Sequence, residues 1–396
     1  MNSPEVRPPS LEDGGSALFA WVDEMRENHP VIEDDNETWH VFRHADVRRI
    51  FTDHQTFSSD PGLLLPDTAE AVRGNMAAVD PPVHHRLRKL VSKAFTPKVV
   101  ADLEPRIVTA TDTLITEMAQ RDDPDLIRDL AYALPVVVIG DLIGIPPEDR
   151  TLYRGWADAL LAGGAPQEDG TSLTEVMETY LAALLAQRRR NPEDDLFSAL
   201  AHAEVDGERL ADHEVLNFAS LLLAAGHITT TMMLGNTVLS LHEFPDAAAA
   251  VRRDPSLIPS LLDEVTRHRP PIMRLLRIST TDVELGGVTI PAKSMVTPWV
   301  LGANRDPRHH TRAAEFDPRP RPRKEANLAF GGGVHFCLGA PLARLEGRVV
   351  FEQLLDRFDD IRVRDGVQVG YPSPMIFGVR ELPVELVPRH AVARTA

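Results

Sequence analysis

Cysteine is nearly absent: Cys337 is the single one in 396 residues. That excludes a disulfide scaffold, a cysteine-based structural zinc site and a four-cysteine iron–sulfur cluster, and it confines any sulfur-ligand chemistry to one position. Positive charge is in the minority, 42 Lys plus Arg against 59 Asp plus Glu, for a formal net charge of −17. The basic footprint that phosphate contacts need is therefore missing, and no nucleic-acid partner is expected. The short basic run from Arg319 to Lys324 reads as a solvated Pro-rich loop. The N-terminal region carries scattered acids and no apolar leader core, so no signal peptide or membrane anchor is expected and the predicted location is cytoplasmic. Internal repeats and low-complexity linkers are missing too. What remains, 43% hydrophobic and 26% charged, is the composition of a globular enzyme with a large core.

Helical patterns dominate from Asp80 to about residue 270, with Pro135, Pro146 and Pro147 expected to break them. Residues 1–15 read as a flexible arm. Trp39–Phe42 reads as a strand, Asp46–Phe51 as the start of a helix, and 59–79 as a loop. Residues 282–300 read as a hairpin around Gly286-Gly287, a helix is expected from Pro341 to about Phe358, and 361–388 read as strands. The fold class is mainly α with a smaller β-rich part, one domain over 1–396.

Between Val215 and Leu241 there is no Asp, Glu, Lys or Arg. Such a run meets the ~20 residues a membrane span needs. Asn217, Ser220, His227, Thr229, Thr230, Thr231, Asn236 and Thr237 make it too polar for lipid, so it reads as a central buried helix, capped by Asp212 and stopped by Pro245.

The most informative stretch runs from Phe330 to Arg344, FGGGVHFCLGAPLAR. Its glycines allow positive φ and close approach to a flat partner. Gly339 follows the sulfur, and Pro341 suits the first turn of a helix. Cys337 thus sits just before a helix N-terminus, where the dipole and free N–H groups favour a thiolate. Read alone, it is a small buried hydrophobe, a nucleophile paired with His335, or a metal ligand.

The pattern Phe-Gly-x-Gly-x-His-x-Cys-x-Gly-x-x-Leu-Ala-Arg is matched at every fixed position and resembles the haem-binding loop of the cytochrome P450 family. Glu264-Val265-Thr266-Arg267 resembles the family's Glu-x-x-Arg helix, with Phe316-Asp317-Pro318-Arg319 beyond it. The resemblance implies a structural network of Glu264, Arg267 and Arg319. Ala225-Gly226-His227-Ile228-Thr229-Thr230 is similar to the oxygen-binding bend of the central helix. There Gly226 lies against the cofactor and Thr229 is the catalytic threonine that hydrogen-bonds dioxygen, although a back-bonded helix hydroxyl is the plain alternative. Ile228 stands where the family usually has an acid, so ordered water or a substrate hydroxyl is expected to carry the proton. His84, Arg88, Arg277 and His335 resemble the clamps of the haem propionates.

The resemblance implies a haem-thiolate monooxygenase with haem b held by Cys337 as the iron ligand and by Gly339. It would use O2 and electrons that reach it from NAD(P)H through a ferredoxin reductase and a ferredoxin. The ferredoxin would dock on a basic face drawn from Arg86, Arg88, Lys89, Lys93, Arg344 and Arg348. Finer matches at 41–47, 57–61 and 226–231 resemble the macrolide-hydroxylating members, which implies C–H hydroxylation of a macrolide or related polyketide in antibiotic biosynthesis. Leu64, Met76, Leu223, His227, Ile272, Leu275 and Ile376 are the expected pocket walls. Oxidation of another natural product, a peroxide-driven haem enzyme and a haem sensor or carrier are the alternatives.

Overall fold

The computed structural model describes residues 6–11, 15–66, 74–149, 152, 155–156, 172–370, 373 and 375–389. Helix α1 (Ser16–Asn28) buries Leu18, Val22 and Met25 at helical spacing. Of the expected N-terminal arm, residues 6–11 are described, and Val6 and Leu11 pack on the same cluster as α1; the arm is pinned because two apolar side chains find cover. The rest of the arm lies outside the described residues. Strands β1 (Val31–Glu33) and β2 (Thr38–Val41) pair antiparallel, and helix α2 (His44–Thr52) follows. Strand β3 (Phe57–Ser58) leads to a short 3-10 turn at Pro61–Leu63 in the expected loop; residues 67–73 of that loop lie outside the described residues.

The helical part continues with α3 (Val83–Ala94) and α4 (Glu104–Ala119), then a π-helical turn at Ile127–Ala131, then α5 (Ala133–Ile143). Pro135 does not break this run. It sits in the first turn of α5, where its missing N–H has no partner to lose, and the irregularity falls before it, where Tyr132 N–H reaches back to the Ile127 carbonyl at 2.9 Å. Helix α5 ends at Gly144, whose φ of 86° is the left-handed cap that precedes Pro146. Helix α6 (Leu173–Arg190) and the long α7 (Asp212–Glu243) follow.

Helix α7 is the axis of the molecule, packed by α5, α6, the π-turn and two later helices, α8 (Ile258–His268) and α10 (Ala340–Arg357). It is long and apolar enough to cross a bilayer, yet 61% of its most apolar window is buried inside the protein, so it is a core helix. Asp212 does not cap it. The Ala211 N–H donates to the Glu214 carboxylate at 2.9 Å, while Asp212 accepts from Arg189 Nε at 2.8 Å. Strands β4 (Arg277–Ser279) and β7 (Met295–Pro298) complete a sheet ordered β1-β2-β7-β4-β3, with β2 and β7 parallel. Between them β5 (Val283–Leu285) and β6 (Val288–Ile290) form the expected hairpin, turning through Gly286 and Gly287 at φ 58° and 82°. A short helix α9 (Val300–Asn304) leads into the long turn region before the cysteine loop. Strands Phe358–Val363 and Val384–Pro388 pair at the C-terminal end.

Candidate active site

The Cys337 loop is held by its own backbone. Cys337 N–H donates to the Phe330 carbonyl at 2.9 Å, closing the loop just ahead of α10. Gly333 has φ 62°, and a Cβ there would stand 2.5 Å from the Phe51 carbonyl oxygen at the end of α2. Only glycine lets the loop lie this close. Cys337 is exposed and receives the N–H groups of Gly339 and Ala340 at the start of α10. Surrounding protein nevertheless pushes its thiol up, outweighing those donors and the fields of Arg88 and Arg344. An unaided thiol here is a poor nucleophile, whereas a bound metal ion would take it as thiolate. His335 is engaged elsewhere: its ring centroid lies 4.3 Å from that of His84, and its Nε2 is 3.7 Å from Asp80.

Beside the loop stand two guanidiniums and a buried imidazole. His84 is buried on α3, neither ring nitrogen has a hydrogen-bond partner among the described residues, and burial pushes it down to about 4, helped by His335 and Arg88. Arg88, one turn on, donates to the Val334 carbonyl at 3.1 Å; burial lowers it. Arg277 on β4 donates to its neighbour's carbonyl, Leu276 O, at 2.7 Å, and burial pushes it down to about 10 against the field of Asp80. None of these three pairs with a carboxylate among the described residues. Partly desolvated guanidiniums and a buried imidazole, all with unused donors, call for carboxylates, and two propionates would supply them. Large apolar side chains stay open in the same segments, with Phe336 43% and Leu276 46% exposed, as the flat face of a macrocycle needs. The residues present fit haem.

The middle of α7 supplies the other side. Leu221 and Thr229 are half-buried and Ala225 is exposed, so one stripe at i, i+4, i+8 stays open on an otherwise buried helix. Thr229 Oγ1 donates to the Ala225 carbonyl at 2.7 Å. Gly226 belongs to a different contact: a Cβ there would meet Ile139 Cδ1 at 2.6 Å, so this glycine lets α5 approach α7. His227 is buried with Nε2 3.2 Å from the Tyr132 carbonyl and its ring edge-on to Tyr132. Leu223 and Met76 are buried in the large helical core. Ile272 and Ile376 do meet, paired across an antiparallel bridge, and they pack with Ile228 and Met232. Leu275 packs against the sheet's core, and Leu64 is half-buried just past the 3-10 turn.

Behind the loop, the buried Glu264 carboxylate accepts from Arg267 at 2.7 and 2.8 Å and from Arg321 at 2.8 and 3.0 Å. Arg319, the expected third member, instead grips the neighbouring Asp317 and points outward, 70% exposed against 15% for Arg321. Sequence reasoning also missed Asn236, whose amide donates to the carbonyls of Arg269 and Phe377, each at 3.2 Å. An amide in the charge-free stretch of a buried helix was the available signal. Of the basic residues expected to form a docking face, Arg86 pairs with Glu214, Lys89 with Asp206, Arg344 with Asp263, and Arg348 with Glu104 and Glu352. Lys93 donates to the Glu204 carbonyl.

The sequence profile of the cytochrome P450 family matches residues 167–374. The erythromycin C-12 hydroxylase of Saccharopolyspora erythraea is 44% identical over 384 residues, covering 95% of this chain and 96% of that one. The cyclomarin C epoxidase CymV of Salinispora arenicola is 42% identical over 383 residues, 93% and 96% of the two chains. A mutant of P450 EryK in complex with erythromycin B superposes with a TM-score of 0.87 at 43% identity, over 96% of this chain and 98% of that one. Likeness that spans both partners of each comparison almost end to end, at more than two residues in five, assigns the chain to the cytochrome P450 family of monooxygenases.

Proposed function

We propose that this enzyme hydroxylates a C–H bond of a macrolide or related polyketide in antibiotic biosynthesis, in the cytoplasm. NAD(P)H would supply the electrons through a ferredoxin reductase and a ferredoxin. The observation that carries the substrate class is the apolar wall of Ile228, Met232, Ile272 and Ile376 beside the open stripe of α7. Such a wall suits a large apolar skeleton, and two relatives named above are an erythromycin hydroxylase and a structure holding erythromycin B. The epoxidase among the relatives makes epoxidation the second reading, with the same wall and a different reacting bond.

Haem bound to Cys337 would supply the activation of dioxygen that places one oxygen atom in the substrate and reduces the other to water. The chain's own part is to bind and orient. Gly339 and Ala340 N–H groups moderate the sulfur's electron donation. His84, Arg88, Arg277 and His335 would hold the propionates. Thr229, its proton given to the Ala225 carbonyl, keeps lone pairs free to accept from water or a substrate hydroxyl. Ile228 excludes water from its own side of the helix, so the proton route runs past Thr229. Because most basic residues near the loop are already paired with acids, the ferredoxin would meet a nearly neutral surface around Arg88.

A spectral titration of the holoenzyme with a panel of macrolides, polyketides, cyclic peptides and steroids tests the reading. A saturable water-displacement shift with a macrolide, followed by a product one oxygen atom heavier at a former C–H position, is expected. A shift confined to peptides or steroids overturns the substrate class, and an epoxide product selects the second reading.

A further inference from the structure

Away from the cysteine loop, three histidines converge with no task assigned by the reaction. His44 opens α2; His309 and His310 lie in the turn after α9. One ring nitrogen from each falls within 4.8 Å of the other two. His44 and His309 stack at 3.4 Å with planes 9° apart, and His310 stands edge-on to both, at 5.7 and 4.7 Å.

The three are held by one residue. Asp306 accepts the His44 N–H on its carboxylate at 3.0 Å, and its carbonyl accepts the N–H groups of His309 at 3.0 Å and His310 at 2.9 Å. The other carboxylate oxygen takes Arg308 N–H at 3.0 Å. His44 and His310 are buried, His309 half-buried. His44 Nε2, His309 Nε2 and both nitrogens of His310 have no hydrogen-bond partner among the described residues, although buried polar atoms almost always find one. The remaining nitrogen of His44 faces the Ala326 carbonyl, the arrangement that fixes a metal-binding tautomer. The nearby charges of Arg267 and Arg321 are matched by Glu264 and Glu325.

We infer that His44, His309 and His310 form a structural site for a divalent zinc ion that clamps α2 to the turn after α9. Three imidazoles and one water satisfy zinc's tetrahedral preference, and no cysteine is required. Binding would turn His309, the least buried ring, out of its stack so that the nitrogens converge.

The test uses tag-free holoenzyme stripped with chelator, then titrated with zinc chloride against a chromophoric chelator, with Tm read alongside. One equivalent is expected to bind and raise Tm. His309→Gln should weaken binding by about 10–100-fold or more and remove the Tm rise, with the haem absorbance unchanged. His44→Gln should do the same, and His309→Gln carries the test if a buried variant fails to fold. No stoichiometric uptake, or uptake and a Tm rise that survive both substitutions, overturns the site.

Discussion

Arg319 and Arg321 sit two residues apart in one Pro/Arg alternation, and only Arg321 reaches Glu264. Removing one partner of a buried pair strands the other charge. Arg321→Ala should therefore lower stability by about 3 kcal/mol and reduce haem incorporation, whereas Arg319→Ala should leave Tm and haem content as they are; equal losses in thermal melts would reverse the assignment. The motif was legible, but its register was not. Alternation makes the two arginines equivalent on paper, and only the fold decides which guanidinium meets the buried carboxylate. Thr229 is a second residue-scale case. Thr229→Ala should raise hydrogen peroxide released per NAD(P)H oxidised and lower product, and Thr229→Ser should restore coupling. Unchanged coupling in the alanine variant would remove this hydroxyl from the proton route.

At the scale of elements, the cysteine loop shows what glycine contributes. Gly333→Ala places a Cβ against the Phe51 carbonyl at a φ of 62°. Strain of about 1–3 kcal/mol should appear as a lower Tm and a lower haem-to-protein ratio; a variant that fills with haem normally would show that α2 can yield. The central helix, the hairpin and the helix after the loop could all be read from pattern, because charge-free runs, paired glycines and an early proline act locally. Gly226 and His227 could not be placed that way. They are neighbours in sequence, within three residues of Thr229, yet one faces Ile139 and the other Tyr132, because 3.6 residues per turn send neighbours to different sides. Leu223 and Met76 join the large helical core, whereas Ile272 and Ile376 form a separate cluster with Ile228 and Met232, a partition that apolar character in the sequence does not reveal.

At the scale of the whole molecule, two buried carboxyl groups give stability a pH dependence of opposite sign. Glu264 is pushed up by burial, but the hydrogen bonds from Arg267 and Arg321 win and hold it below the usual carboxylate range. Its contribution is present above about pH 4.5 and fades as acid protonates it. Glu346, wholly buried on α10, has the opposite sign: burial pushes it up to about 8 from 4.5. Its neutral form contributes stability that is complete below pH 4.5 and is lost as pH rises toward 8. Glu346→Gln should therefore gain Tm relative to the parent as pH goes from 5 to 8, by way of that window. A Tm difference that does not vary with pH would mean the carboxyl is already solvated or paired.

The Asn236 amide has a consequence for how this fold diversifies. It grips the carbonyls of Arg269 and Phe377, the two chain segments that carry Ile272 and Ile376. Recombination between relatives that cuts from residue 240 to 268 would inherit the grip from one parent and both gripped carbonyls from another, and a cut from 270 to 370 would exchange only the Phe377 carbonyl. Since the contacts are to main chain, they tolerate any side chains at the receiving end. Crossovers there should yield folded hybrids with exchanged selectivity, provided the amide itself is kept.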